Sequence, residues 1–163
     1  MKKLLGLAAA VVSFAGFGSA GAYASYVHLP SSGYGYISHT SSWRQWGQPR
    51  MVSGLIALGR KWRNAHPGKH LDYGDISKRG GGYFPPHVSH RLGVDVDTRP
   101  ITTSGSAGVT VVGWRNYSTY YNIQYARMQR TCWRVRLMLH NNRRIPGCTY
   151  WPNHANHFHT RIW

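Results

Sequence analysis

The acidic residues of this chain are few and lie close together. Against 20 lysines and arginines there are four acidic residues, all aspartate, between positions 72 and 97. Two histidines lie among them, and three more are clustered near the C-terminus. Because zinc prefers neutral imidazoles and carboxylates as nitrogen and oxygen ligands, this pattern predicts a divalent-metal site. The residues concerned are Asp72, Asp75, Asp95, Asp97, His87, His90, His154, His157 and His159.

Residues 1–24 are predicted to be a secretory signal peptide. Lys2 and Lys3 precede an apolar stretch over residues 4–17, and Ala22-Tyr23-Ala24 is an A-x-A cleavage site, with residues 18–20 a weaker alternative. The stretch is shorter than the roughly 20 residues that a membrane-spanning helix needs. We therefore expect a periplasmic or secreted protein with no membrane span after cleavage. Residues 25–48, rich in Gly, Ser and Tyr, are expected to be loop-like, and residues 49–163 to form a single domain that carries the site.

The formal net charge of +16 predicts adhesion to polyanions. Anionic cell-wall or other cell-envelope polymers, lipopolysaccharide, anionic lipid and extracellular nucleic acid all fit this charge, as does a solvated surface with no dedicated partner. A secretion signal and the lack of a basic-aromatic motif argue against nucleic acid.

The chain has two cysteines, Cys132 and Cys148. In an exported protein they are expected to form one disulfide, worth about 3 kcal/mol at most for so short a loop. Two buried thiols are the alternative.

Hydrophobic periodicity predicts two helices and several strands. The first helix covers residues 51–64, and the second covers about 121–131 with Ser118 or Thr119 as its cap. The apolar face of the first helix is expected to contain Val52, Leu55, Ile56, Gly59 and Trp62. Strands are predicted at residues 94–98, 109–114, 135–139 and 157–162.

Two of these strands would present metal ligands. Alternation places His157 and His159 on one face of their strand, and Asp95 and Asp97 on one face of theirs. If the two strands are neighbours, a histidine from the first cluster, an aspartate and a C-terminal histidine converge. Three protein ligands with an open fourth position are typical of catalytic zinc. Histidines hydrogen-bonded in a loop-rich core are the alternative.

The absence of glutamate excludes the H-E-x-x-H metalloproteases, which use glutamate as general base. Any general base here must be histidine or aspartate, and histidine is well suited to the role because its pKa is near neutrality. No G-x-S-x-G motif is present, which argues against a serine hydrolase.

Three segments, residues 74–81, 86–97 and 154–162, resemble the penicillin-insensitive murein endopeptidase family. That family lies in the wider superfamily of lysostaphin-type peptidases, D-Ala-D-Ala carboxypeptidases and hedgehog domains. The resemblance covers roughly residues 47–163 and implies that residues 49–163 are a zinc peptidase domain, which cuts D-alanyl cross-links of peptidoglycan by a metal-activated water. The implied fold is α+β: a compact single domain whose small, mainly antiparallel sheet carries the zinc site, flanked by helices and long loops.

The resemblance also implies residue roles at the reaction centre. His90, Asp97 and His159 match the family's zinc ligands. His157 matches the histidine that assists the attacking water, and it or His154 would return a proton to the leaving amine.

Further residues match supporting positions. His87, like His154, matches an additional histidine at the metal centre, and Asp95 is expected to hold a ligand or loop in place. Arg161 and Arg79 are candidates for binding a substrate carboxylate. Two alternatives stay open: a non-catalytic, zinc-containing cell-wall-binding protein, and a D-Ala-D-Ala carboxypeptidase.

Overall fold

The computed structural model describes residues 25–163, so the predicted signal peptide lies outside the described residues. This part of the chain contains two α-helices, nine short strands and one 3₁₀ turn at Ser42–Arg44. None of its helices has the length and apolarity needed to cross a membrane. The helices are α1 (Pro49–Ala65) and α2 (Thr119–Gln129). The strands are β1 (Val27–His28), β2 (Ser32–Gly33), β3 (Tyr36–Ser38), β4 (Trp46–Gly47), β5 (Leu71–Tyr73), β6 (Asp95–Thr98), β7 (Val135–His140), β8 (Thr149–Tyr150) and β9 (Phe158–Ile162).

Seven strands form one mixed sheet in the order β2-β3-β5-β6-β9-β7-β8. Four of the neighbouring pairs are antiparallel and two are parallel. This confirms the predicted α+β class with two helices and a mainly antiparallel sheet. The predicted metal site required the aspartate strand and the C-terminal histidine strand to be neighbours. These strands are β6 and β9, and they pair directly.

The register of β6, β9 and β7 divides the sheet into two faces. Residues paired across neighbouring strands point to the same side. Val96 pairs with Thr160, which pairs with Met138, and all three are buried on the side that contributes to the core. Asp97 and His159 pair on the opposite side. The alternation predicted for residues 157–162 is therefore confirmed within β9, while His157 lies one residue before the strand.

Both helices form within about two residues of their predicted bounds. Pro49 is at the start of α1, where its missing N–H costs no hydrogen bond. Ile56 is 36% exposed, so its predicted place on the buried face is wrong; Met51 and Leu58 are buried instead. At 100° per residue, these two lie nearer the centre of the apolar face than Ile56 does. The second helix begins earlier than expected, and its cap is Ser118, whose hydroxyl accepts from the Tyr121 N–H.

Two predictions about local structure are wrong. Residues 109–114 form turns rather than a strand, because Gly113 has φ +94° and the Thr110 hydroxyl donates to the Asn116 side chain. Residues 25–48 are not simply a loop, because they contain four short strands. Of these, β3 pairs in parallel with β5 and joins the main sheet.

The predicted disulfide is not formed in the structure, where Cys132 and Cys148 are both free. Each thiol is half-buried against the core. Burial raises the pKa of both thiols, that of Cys148 to about 11. Both thiols are therefore protonated and poorly nucleophilic at neutral pH.

Gly54 allows α1 to pack closely against Trp133. A Cβ atom at position 54 would overlap the Trp133 indole, whose Nε1 donates to the Arg50 carbonyl at 3.0 Å. We expect Gly54→Val to lower the free energy of unfolding by about 2 kcal/mol, because overpacking typically costs about 1–3 kcal/mol. Ser53→Val, at the exposed neighbouring position, should change it by less than about 0.5 kcal/mol. Urea denaturation measures both, and equal midpoints would contradict the close packing.

Candidate metal centre

The predicted ligands come from one loop and two neighbouring strands. His90 lies in the loop before β6 and is fully buried. Asp97 on β6 and His159 on β9 are register partners, so their side chains leave the same face of the sheet. The sheet therefore fixes two of the three side chains relative to each other, and the loop brings the third to them.

Three atoms of these residues converge closely. The His90 Nε2 lies 3.2 Å from the His159 Nδ1 and 3.3 Å from the Asp97 Oδ1. The His159 Nδ1 lies 3.0 Å from the same carboxylate oxygen. Ligands bound tetrahedrally at zinc bond lengths of about 2.0–2.1 Å are separated by about 3.4 Å. The three separations are thus close to those of a shared tetrahedral metal.

The outer nitrogens of both imidazoles have acceptor partners that fix their protonation. The His90 Nδ1 lies 2.8 Å from the Ile76 carbonyl oxygen, which can only accept, so this nitrogen donates. The His159 Nε2 lies 3.1 Å from the Asp95 carboxylate and donates to it. In the neutral imidazoles the inner nitrogens then carry lone pairs. Such outer partners are typical of metal-binding histidines.

The inner atoms are therefore three acceptors facing one another, an arrangement that requires a cation between them. Burial by itself would lower the pKa of His159, but the Asp95 and Asp97 carboxylates outweigh burial and raise that pKa to about 9. Burial would raise the pKa of Asp97, yet the neighbouring His159 and His90 side chains hold that pKa well below its usual range. The donor set thus fits a divalent metal.

His87 extends this cluster. One ligand atom from each of His87, His90 and Asp97 lies within 4.8 Å of the other two. The His87 Nε2 donates to the Asp75 carboxylate at 2.6 Å, and the His87 Nδ1 lies 3.7 Å from the Asp97 Oδ2. The Arg44 Nε donates to the same Asp75 at 2.6 Å. Burial would raise the pKa of Asp75, but these partners lower it to about 2, so Asp75 is a permanent anion that orients His87.

A cavity of about 210 Å³ opens beside this cluster and contains Asp97 and His157 in its lining. The His157 Nδ1 donates to the Asn156 side-chain oxygen at 2.7 Å, which leaves its Nε2 as the acceptor. Burial lowers the pKa of His157, so the imidazole is neutral at pH 7. A neutral imidazole with a free acceptor at a water-accessible cavity can take up a proton.

His154 packs against His157 with 4.4 Å between ring centroids, and 6.0 Å from His159. Burial, followed by the two neighbouring histidines, lowers its pKa to about 4. Its Nδ1 is buried and has no hydrogen-bond partner among residues 25–163. The structure thus brings His154, His157 and His159 together, as the sequence predicted.

His140, which the sequence analysis did not single out, supports the segment that carries His154 and His157. The fully buried His140 Nδ1 donates to the carbonyls of His154 and His157, at 2.8 and 3.1 Å. Its Nε2 accepts from the Tyr117 hydroxyl at 2.9 Å. No pattern in the sequence points to these contacts, because they join the end of β7 to a turn 14 to 17 residues away.

The two predicted substrate-binding arginines are placed differently. The Arg161 guanidinium pairs with both oxygens of Asp95, at 2.8 and 3.0 Å. Asp95 in turn accepts from His159, as expected for a residue that holds a ligand in place. Arg161 therefore holds Asp95 in place, and its role in substrate binding stays a prediction. Arg79 lies over the Trp46 ring, 5.4 Å from its centroid, and does not line the cavity.

All four carboxylates of the chain are held by basic side chains in this region. Asp72 contacts His39 and Arg99, and the other three contact the histidines and arginines described above. A buried carboxylate needs a cation or hydrogen-bond donors. The four clustered aspartates therefore indicate that basic side chains would lie beside them. The sequence could not have named Arg44, His39 or Arg99.

A comparison with protein-family models finds a match to the penicillin-insensitive murein endopeptidases over residues 14–112. The matched range covers more than half of the chain and contains His87, His90, Asp95 and Asp97. The chain belongs to the penicillin-insensitive murein endopeptidase family. A comparison with curated protein sequences finds no match.

Membership of the murein endopeptidase family identifies a peptidase that acts on peptidoglycan, which implies action in the periplasm. The histidines at 154, 157 and 159 lie beyond the matched range. Their connection to the family's motif is provided by the structure, through the pairing of β9 with β6.

Proposed function

We propose that this murein endopeptidase is an exported zinc enzyme that hydrolyses D-alanyl peptide cross-links in peptidoglycan. His90, Asp97 and His159 would hold the metal, with His87 as an additional histidine at the centre. The observation that carries the proposal is the convergence of three acceptor atoms within 3.3 Å, with both imidazoles oriented by acceptors on their outer side.

The histidines around the metal would have distinct roles in the reaction. A divalent metal supplies Lewis acidity and lowers the pKa of water. His157, neutral and open to the cavity, would accept the proton of the attacking water. His157 or the adjacent His154 would return a proton to the leaving amine, and the hydrogen bonds from His140 would keep the turn that carries both in register.

The net positive charge of the protein supports electrostatic attraction to the cell envelope, in addition to binding of the substrate at the site. All four acidic side chains lie in the candidate site, so the remaining surface carries basic side chains without acidic ones. We propose that anionic envelope polymers attract the protein to its substrate through this surface. Export through residues 1–24 belongs to the same proposal.

The activity is tested with the full-length mature chain and purified cross-linked muropeptide dimers. We expect zinc-loaded protein to convert dimers to monomers, with product masses that show one hydrolysed D-alanyl bond. A chelator should abolish the reaction and added zinc should restore it. Penicillin should have no effect, because it acylates a nucleophilic serine and this chain has no such motif.

The same assay separates the alternatives. Release of a terminal D-alanine from monomers, without dimer cleavage, would indicate a carboxypeptidase. Zinc binding without cleavage of any muropeptide would favour the non-catalytic wall-binding protein. Activity that survives chelation and is abolished by penicillin would overturn the metallopeptidase proposal.

A further inference from the structure

Arg99 lies at the wall of the candidate active-site cavity, and neither metal binding nor proton transfer in the proposed reaction uses it. It directly follows β6, the strand that carries Asp97, and it lines the cavity together with Asp97 and His157. Its side chain is 27% exposed, so it is largely enclosed but still accessible to solvent.

The position of Arg99 is fixed by a buried carboxylate. The Asp72 side chain is 7% exposed and contacts His39 through one oxygen, at 2.7 Å, and the Arg99 Nε through the other, at 3.1 Å. The backbone N–H of Arg99 also donates to the Asp72 carbonyl. An arginine held at its backbone and its side chain in this way is preorganised, and it loses little entropy when it binds a ligand.

The side chain of Arg99 makes no hydrogen bond with residues 25–163. Its contact with Asp72 is close but misaligned, and its buried Nε makes no hydrogen bond with any residue from 25 to 163. The other arginines that pair with aspartates at this site, Arg44 and Arg161, each make two hydrogen bonds to one carboxylate. Arg99 therefore presents a cation with unused donors to the cavity where the substrate would lie.

We propose that Arg99 binds a carboxylate of the substrate next to the cleaved peptide bond and makes the enzyme selective for cross-links that carry it. The inference rests on the proposed function. A guanidinium pairs with a carboxylate through two parallel hydrogen bonds, which a carboxamide cannot reproduce. The carboxylates of Asp75 and Asp97 do not compete for Arg99, because each is already bonded to its own arginine or histidines.

The test compares two cross-linked muropeptide dimers that differ only in this group, one with a free carboxylate beside the cleaved bond and one with a carboxamide. We expect the wild-type enzyme to prefer the free acid by about 10- to 100-fold in kcat/KM, the range of a hydrogen bond to a charged group. Arg99→Gln should lose this factor on the free acid, keep its rate on the amide and so reduce the preference to about one.

Two further variants complete the comparison. Arg99→Lys keeps the charge and the contact with Asp72 but not the paired donors, so it should retain only part of the preference. Arg63→Gln removes an arginine that lies over the Tyr34 ring and does not line the cavity, so it should keep the wild-type ratio. The ratio of the two kcat/KM values does not depend on the fraction of folded protein, so a destabilised variant still gives a valid result.

The outcomes separate this inference from the function on which it rests. An unchanged preference in Arg99→Gln, or an active wild-type enzyme with no preference, would overturn the role of Arg99 alone. Failure of the zinc-loaded wild-type protein to cleave either dimer would overturn the proposed function and this inference with it.

Discussion

Replacing His159 with alanine should remove most of the bound zinc and lower turnover by about 10³-fold or more. The His159 Nδ1 is one of three converging acceptors, and its loss leaves two predicted ligands. A metal contributes several kcal/mol to hydrolysis, and each 1.4 kcal/mol is about tenfold in rate. Elemental analysis of the purified protein gives the metal content, and dimer cleavage gives the rate.

The control for this variant is His66→Ala. His66 follows α1, and its ring packs against Trp62 and Tyr121, with 4.1 and 5.4 Å between centroids, among the helices. The His66→Ala substitution removes an imidazole that lies away from the candidate metal centre. The zinc content of this variant should therefore equal that of the wild type. Wild-type zinc content in His159→Ala would show that the ligand assignment is wrong.

Replacing His157 with alanine should leave the zinc in place and lower turnover by about 10²–10⁴-fold. His157 lines the cavity beside Asp97. It does not belong to the cluster of His90, Asp97 and His159, nor to the group that His87 forms with His90 and Asp97. Removal of a positioned acid or base typically costs this factor in rate. Zinc analysis and single-turnover cleavage of a muropeptide dimer test the two parts of the prediction separately.

Asn156→Ala provides the matched control for His157. It removes the oxygen that accepts from the His157 Nδ1 but keeps the imidazole, so it should cost much less than loss of the ring. Full metal content with near-wild-type turnover in His157→Ala would exclude the acid–base role. Loss of zinc from that variant would instead place His157 among the ligands.

The sequence predicted those elements whose pattern repeats over several residues. Helix α1 and strand β9 both show a clear period, and both form close to the predicted positions. The Val-Thr-rich residues 109–114 have the composition of a strand, yet a turn forms there because Gly113 and side-chain hydrogen bonds compete with extension. Strands of two or three residues, such as β3, are too short for a period to appear and are held by pairing with distant strands.

The type of site was also readable from the sequence, because a metal restricts its ligands to a few side chains. With no glutamate and four aspartates in the chain, the candidate ligands could be named before the fold was known. The supporting residues could not be named. Arginine is common in this chain, and nothing local distinguishes Arg44 and Arg99, which contact site carboxylates, from Arg79, which lies over Trp46.

The sequence by itself determined the chemical types at the centre, the two strands that carry Asp97 and His159, and the family to which the chain belongs. The tertiary structure alone decided which nitrogen of each imidazole faces inward, that Arg161 is bound to Asp95, and that Arg99 stands at the cavity. Ligand identity is set by the chemistry of single residues, whereas ring orientation and ion pairing depend on groups brought together from distant parts of the chain. His90 and His159, for example, are 69 positions apart in sequence, and only the packing of a loop onto β9 brings their nitrogens within 3.2 Å.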